Sequence, residues 1–267
     1  MSAAHEAAAA FDAIAPEYDR QFTRSLIGRA QRDVVWRYAC RAFRGRRQIM
    51  ELNCGTGEDA LYLASCGHEV MALDASARMI EVAKLRKAAE MPSAPVQFMQ
   101  LATEELGTLE WRVDGIFSNF SGLNCVANLE EVAERLSELT RPCAQVLLCL
   151  SARFCAWETL WYLMHAQPRK AFRRWSGSTR AQLEGHPLDV YYPSVRKLRW
   201  IFSPHFRLRA VTGVGVFTPP SYVESWARKH PSLLHLFGKL DRRLASWPLL
   251  RSIGDHVLLH FERREQP

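Results

Sequence analysis

Seven short apolar runs alternate along the chain with longer stretches whose apolar residues recur every three or four positions. The runs lie at residues 49–52, 69–74, 95–101, 113–120, 145–150, within 205–217, and at 255–263. Between them, 58–66, 77–89, 129–139 and 194–202 carry the helical period, as do two helices within 11–38 and further helix across 219–253. Strands alternating with helices in this way predict a doubly wound α/β domain on a mostly parallel sheet. The fifth run, Gln145-Val146-Leu147-Leu148-Cys149-Leu150, is almost unbroken by polar residues, as a parallel strand buried on both faces requires.

The first strand runs into its helix through Glu51-Leu52-Asn53-Cys54-Gly55-Thr56-Gly57-Glu58-Asp59-Ala60. Gly55 and Gly57 lack a Cβ, so this turn can take unusual dihedrals and let a ligand approach its N–H groups. The second run ends in Asp74, the place from which a carboxylate accepts both hydroxyls of a ribose. Gly55-Thr56-Gly57-Glu58-Asp59-Ala60 formally matches the dinucleotide glycine fingerprint, which keeps a nicotinamide or flavin enzyme in view. A diphosphate would then rest on a helix whose first turn holds Glu58 and Asp59, with Glu51 ending the strand before it. Each such charge pair, ~8 Å apart at an effective dielectric of ~20–40, opposes a phosphate by roughly 1–2 kcal/mol. A ligand carrying a ribose and positive charge suits these acids better.

The residues quoted resemble the class I S-adenosylmethionine-dependent methyltransferases, whose cofactor has a sulfonium, an ammonium and no phosphate. Upstream, Phe11-Asp12-Ala13-Ile14-Ala15-Pro16-Glu17-Tyr18-Asp19 is similar to the lead segment of the branch that includes ubiquinone and menaquinone biosynthesis enzymes. Downstream, Asp74-Ala75-Ser76-Ala77-Arg78-Met79-Ile80 is similar to the family's ribose and adenine segment. The resemblance extends over about residues 11–150 and implies a Rossmann-like, seven-stranded sheet with its last strand antiparallel. It implies S-adenosylmethionine held by Tyr18, Glu51, Asn53, Cys54, Gly55, Gly57, Asp74, Ala75, Met79, Leu101, Ala102 and Asn119, with Tyr18 in a lid. Met79 is placed by the resemblance against the adenine ring, and by helical spacing alone in the core.

Two departures bear on the site. Asn53 stands where the family usually has its first glycine, which widens the turn, although asparagine tolerates left-handed backbone better than most residues. No acid follows the third strand at Gln100-Leu101-Ala102, so adenine is expected to rest on main chain and apolar contact, with Glu104 and Glu105 only beginning a helix.

At 267 residues the chain fits one large α/β domain with an added subdomain. The expected segments are an N-terminal helical lid (1–46), a cofactor-binding core (47–152), an aromatic and basic lid insertion (153–193) and the remainder of the sheet domain (194–267). A net charge of +7 draws acidic partners or simply solvates the surface. Seven scattered cysteines, without Cys-x-x-Cys or zinc spacing, predict no metal site and reduced thiols in a cytoplasmic protein. No apolar run reaches the ~18 residues of a membrane span. Residues 1–10 lack a basic leader, so no secretion signal is expected.

In the insertion, Phe154, Trp157, Trp161, Tyr162, Phe172 and Trp175 interleave with Arg153, Arg169, Lys170, Arg173, Arg174 and Arg180. Phe154, Trp157 and Trp161 recur at helical spacing and are expected on one face. Three readings stay open: the aromatics pack the insertion onto the domain, line a pocket for a hydrophobic or aromatic acceptor, or make peripheral contact with a membrane, arginines at the headgroups. Such interleaving also stacks nucleic-acid bases, but no RNA-binding module accompanies it. Asn119-Phe120-Ser121 lacks the prolines of amino-methylating DNA enzymes, and Pro142-Cys143 matches the cytosine-5 enzymes only as a dipeptide, its thiol expected to point into the structure.

Phe120, Arg153, Trp157 and Trp161 are the candidate acceptor contacts, Arg153 for an anionic one. A general base is needed only where the acceptor loses a proton. His186 and Tyr191, in what reads as a polar turn before the next helix, are preferred over His165, Asp189 and Tyr192. The function expected is methyl transfer to oxygen or carbon of a small hydrophobic or aromatic metabolite. A catalytically silent S-adenosylmethionine-binding partner protein and an RNA methyltransferase are the alternatives, the latter requiring a basic groove that reaches the methyl position.

Overall fold

The computed structural model describes residues 3–265, so the outermost two residues of the expected lid and C-terminal segments lie outside it. Helix α1 (Ala3–Tyr18) begins well before Phe11, where the pattern placed it, because the upstream alanines have the highest helix propensity. A π-helical turn, Asp19–Thr23, follows, and the Ser25 hydroxyl then caps α2 (Leu26–Ala42) by accepting the Gly28 N–H. Next come β1 (Gln48–Leu52), α3 (Glu58–Ser65), β2 (Glu69–Asp74), α4 (Ala77–Glu90), β3 (Val96–Gln100), β4 (Val113–Ser118), α5 (Leu129–Glu138) and β5 (Thr140–Ser151). Beyond β5 lie α6 (Ala156–Met164), α7 (Pro168–Ala171), β6 (Ser178–Leu183), β7 (His186–Tyr191), α8 (Val195–Phe202), β8 (Phe206–Val214), α9 (Glu224–Lys229), α10 (Pro231–Leu244) and β9 (His256–Arg263).

The main sheet has seven strands in the order β3-β2-β1-β4-β5-β9-β8. Strands β1 to β5 are mutually parallel, and β9 runs antiparallel to both β5 and β8, which is the architecture expected. Alternate residues of each strand feed opposite faces. Met50, Leu52, Ile116 and Leu148 join α5 and α8 in one core, whereas Ile49, Phe117, Leu147 and Leu258 meet α2, α3 and α4 in the other.

Three local expectations are corrected. Residues 185–194 are not one polar turn: β6 and β7 form a separate antiparallel hairpin, turning at Glu184 (φ 48°) and Gly185 (φ 82°). Two successive left-handed residues match the twist of a tight hairpin. The Cys143 thiol does not point inward but donates to the Glu265 carboxylate at an exposed place. Phe154 precedes α6 and stands edge-on to Trp175, so it shares no helix face with Trp157 and Trp161.

The β6–β7 hairpin lies against α1, where Leu183 packs beside Ile14 and Ala15. The other end of the same segment is tied to the sheet by ions. Buried Glu158 of α6 accepts from Arg173 and Arg174, and Arg174 also reaches Asp255 at 2.9 Å. Among the described residues no helix is long and apolar enough to cross a membrane.

Candidate functional site

Where the C-terminal ends of β1, β2 and β4 meet, α1 lies across them and closes a small cavity, about 70 Å³. Ala4, Ala7, Ala8 and Phe11, spaced to share one helix face, form its roof together with Tyr18. Asn53, Gly55, Asp74, Ala75 and Met79 line one side; Thr103, Glu104, Asn119, Phe120, Gly122, Cys125 and Val126 complete it.

The turn after β1 is left-handed at Asn53 (φ 55°), Gly55 (φ 53°) and Gly57 (φ 78°). Asn53 thus adopts the conformation usually reserved for glycine there. A Cβ on Gly57 would lie 2.8 Å from the Phe98 ring and 2.9 Å from Ala83, so this position admits no side chain. Asp74 Oδ2 accepts the Gly55 N–H at 2.8 Å and Oδ1 the Ser76 N–H at 2.9 Å. Burial pushes the Asp74 carboxyl up to about 6 even though these two N–H groups pull it down. Glu51 is pushed well above the carboxylate range by burial and then by neighbouring Asp59. Among the described residues, Glu51 Oε2 and Asn53 Oδ1 are buried oxygens without a hydrogen-bond partner.

The acids of the first α3 turn are not free charges, which corrects the electrostatic expectation. Glu58 pairs with Arg86 of α4, whose guanidinium also binds Asp19 and the Thr56 carbonyl. Asp59 binds Arg32 of α2 at 2.5 Å, Asn119 Nδ2 at 3.0 Å and Trp36 Nε1 at 2.5 Å. With both neutralised, the negative character of the cavity rests on Asp74 and Glu104.

Of the cofactor residues expected from sequence, the structure gathers Tyr18, Asn53, Gly55, Asp74, Ala75, Met79 and Asn119 at the cavity. Burial pushes the Tyr18 phenol up to about 12, so it stays protonated. Met79 lines the cavity while packing on Ile14 and Ala15. Cys54 and Glu51 are buried beside the cavity, and Gly57 faces Phe98 instead. The Leu101 N–H is taken by the Asp74 carbonyl and the Ala102 N–H by the Glu105 carboxylate. Their N–H groups are therefore committed, and Thr103 and Glu104 line the cavity there.

On the acceptor side only Phe120 lines the cavity. Arg153 donates to the Trp175 carbonyl at 3.0 Å and lines a separate groove with Phe154 and Val195. Trp157 donates to the Phe217 carbonyl and sits by Phe237; Trp161 packs on Tyr222 and the Ile27 cluster. These contacts favour the packing reading of the aromatics over the pocket one. His186 is exposed beside the hairpin turn, and the Tyr191 carbonyl accepts from Asn124 Nδ2 at 2.6 Å; neither lines the cavity.

Sequence reasoning missed Arg32, Arg86, Asp12 and His256. Asp12 accepts from the Ser76 hydroxyl and the Arg78 N–H, docking α1 on the start of α4; its place inside the quoted lead segment was the available signal. Arg32 lies 4.9 Å from the Phe120 ring centre and His256 stands edge-on to the same ring at 5.3 Å. Burial pushes the His256 imidazole below its usual range, so it is neutral near pH 7.

Residues 49–143 match the family described as "Methyltransferase domain". The tRNA 5-carboxymethoxyuridine methyltransferase of Escherichia coli (strain K12) is 31% identical over 137 residues, 49% of this chain and 52% of that protein. Demethylmenaquinone methyltransferase of Clavibacter sepedonicus is 29% identical over 147 residues, 54% of this chain and 57% of that protein. The chain thus spans about half the length of the curated relatives it matches. In fold it is similar to the DhpI-SAH complex, with a TM-score of 0.63 and 16% identity over 98% of both chains. Residues 49–143 are thus similar to methyltransferase domains, and the seven-stranded order around them is a fold shared with the DhpI-SAH complex.

Proposed function

We propose that the chain binds S-adenosylmethionine in this cavity and transfers its methyl group to oxygen or carbon of a small, largely apolar acceptor. The observation that carries the reading is Asp74, whose two oxygens each accept one backbone N–H at the end of β2 beneath α1. A carboxylate oxygen has a second lone pair, which leaves one site on each for the two hydroxyls of a ribose. The unpartnered Glu51 and Asn53 oxygens suit the donors of an ammonium group. When bound, this cofactor supplies a methyl carbon already activated by its sulfonium.

The protein's task is then alignment and exclusion of water. Asn119 is fixed twice, its Nδ2 on Asp59 and its Oδ1 on the Phe120 N–H, so the floor opposite the acceptor is rigid. The alanine face of α1 roofs the cavity, and Asp12 and the Arg86 cluster hold that roof down. In this reading α1 with its following turn is the cofactor lid.

RNA methylation is the second reading, supported by the Escherichia coli relative and by the net charge of +7. Against it, no lysine or arginine is among the described residues lining the cavity. The deciding experiment follows S-adenosylhomocysteine release with phenols, quinone precursors, fatty acids, amino acids and bulk tRNA as acceptors. Turnover on a small acceptor is expected; label entering tRNA alone would overturn the small-acceptor reading.

A further inference from the structure

On the face of α2 and α3 turned away from the cavity, two thiols meet. Cys40 lies in the last turn of α2, half-buried, and Cys66 caps the end of α3, exposed. Their sulfurs are 3.3 Å apart, and the Cys40 Sγ is also 2.9 Å from the Tyr62 hydroxyl. Among the described residues no group of three or more His, Cys, Asp or Glu could hold a metal ion, so the two thiols have each other and not an ion complement. We propose that Cys40 and Cys66 are a modification site, closing a reversible disulfide by exchange with a small-molecule disulfide such as oxidised glutathione.

The exchange balances without a further reactant. One cysteine thiolate attacks the glutathione disulfide, forming a mixed disulfide and expelling one glutathione thiolate. The second cysteine, deprotonated, attacks the protein sulfur of that bond, closes Cys40–Cys66 and expels the other. The protein loses two hydrogens and two electrons, and two glutathione thiols carry them away. The sulfurs need approach by only about 1.3 Å to reach bonding distance. Partial burial and the Cys40 contact push the Cys66 thiol up, which lowers its thiolate fraction and slows exchange.

The pair has a line to the candidate site. Tyr62 stacks flat on Trp36 at 3.8 Å, Trp36 donates to Asp59, and Asp59 holds both Asn119 and Arg32. Closing the disulfide removes the thiol contact of the Tyr62 hydroxyl and thereby shifts the stack that positions the Asp59 partner.

The test treats the full chain with oxidised glutathione, maps cysteine linkages by peptide mass spectrometry and records tryptophan emission. Expected are a Cys40–Cys66 linked peptide, a loss of two hydrogens per chain, and an emission change that dithiothreitol reverses and Trp36→Phe abolishes. Cys40→Ser should leave Cys66 stably glutathionylated, and Cys66→Ser should leave Cys40 so; either variant suffices if the other misfolds. Mixed disulfides without the internal link, or linkage to another cysteine, would overturn the site. A link formed with unchanged emission would overturn its connection to Asp59. The methyl donor enters neither measurement, so the outcome is independent of the proposed function.

Discussion

The Asp74 carboxylate accepts the Gly55 backbone N–H at 2.8 Å, so one hydrogen bond ties the end of β2 to the turn that follows β1. Burial places the proton affinity of that carboxylate at about 6, above the ordinary 3.8. Ribose hydroxyls need its ionised form. Affinity for S-adenosylhomocysteine is therefore expected to be flat above about pH 7 and to weaken as pH falls through 6. The folded chain keeps this proton over about pH 4–6, where the unfolded chain has lost it, so this group's contribution to stability declines as pH rises across that window. Calorimetric titration at several pH values checks the binding limb; an affinity indifferent to pH between 5 and 7 would remove Asp74 from the site.

Gly55 and Gly57 share left-handed backbone but not surroundings. A Cβ on Gly55 meets only the Tyr18 ring, at 4.0 Å, whereas one on Gly57 collides with Phe98 and Ala83. Gly57→Ala is expected to cost about 2–4 kcal/mol, backbone strain plus overpacking, and Gly55→Ala about 1–2 kcal/mol. Chemical denaturation distinguishes the two, and Gly55→Ala should be the one that chiefly impairs ligand binding, since its N–H borders the cavity.

Arg86 joins three pieces of chain: Asp19 after α1, Glu58 at the start of α3, and the Thr56 carbonyl in the turn. Arg86→Met leaves two carboxylates facing each other without a cation. A fully buried pair so broken costs about 3–5 kcal/mol, and the partial exposure of Asp19 and Glu58 lowers the expectation to about 2–3 kcal/mol. The melting temperature should fall by roughly 5–10 °C. Limited proteolysis should cut first near residues 19–25, where the turn after α1 loses its anchor; an unchanged cleavage pattern would contradict the anchoring role.

The seven apolar runs, the glycine turn and Asp74 were legible because each is local: a run of apolar residues, two glycines, one acid at a run's end. What was not legible depends on residues far apart in the chain. Nothing near Glu58 or Asp59 announces that Arg86 and Arg32 will neutralise them, so the local charge count overstated the repulsion of a phosphate. The β6–β7 hairpin did carry a signal, Leu183-Glu184-Gly185-His186 between alternating residues, but His186, Pro187 and Asp189 drew the reading toward a polar turn. Once that segment is a strand, His186 moves to the exposed turn and loses its place near the acceptor. Trp157 and Trp161 were rightly set on a helix, yet spacing alone says nothing of which neighbour α6 faces.

Glu158, buried between Arg173 and Arg174, fixes α6 to the beginning of β9 through Asp255. Glu158→Ala leaves the Arg174 charge only half compensated in a buried place and should cost about 3 kcal/mol. Thermal denaturation measures it. A loss below about 0.5 kcal/mol would mean that the insertion is held by its aromatic contacts alone.

The central claim is that the cavity beneath α1 takes S-adenosylmethionine and not a dinucleotide. Isothermal calorimetry of the purified chain with S-adenosylhomocysteine, and separately with NAD and FAD, tests it most directly. The account predicts one saturable site for S-adenosylhomocysteine, weakened at least tenfold, about 1.4 kcal/mol, by Asp74→Ala, and no heat with either dinucleotide. Binding of NAD or FAD with none of S-adenosylhomocysteine would contradict it.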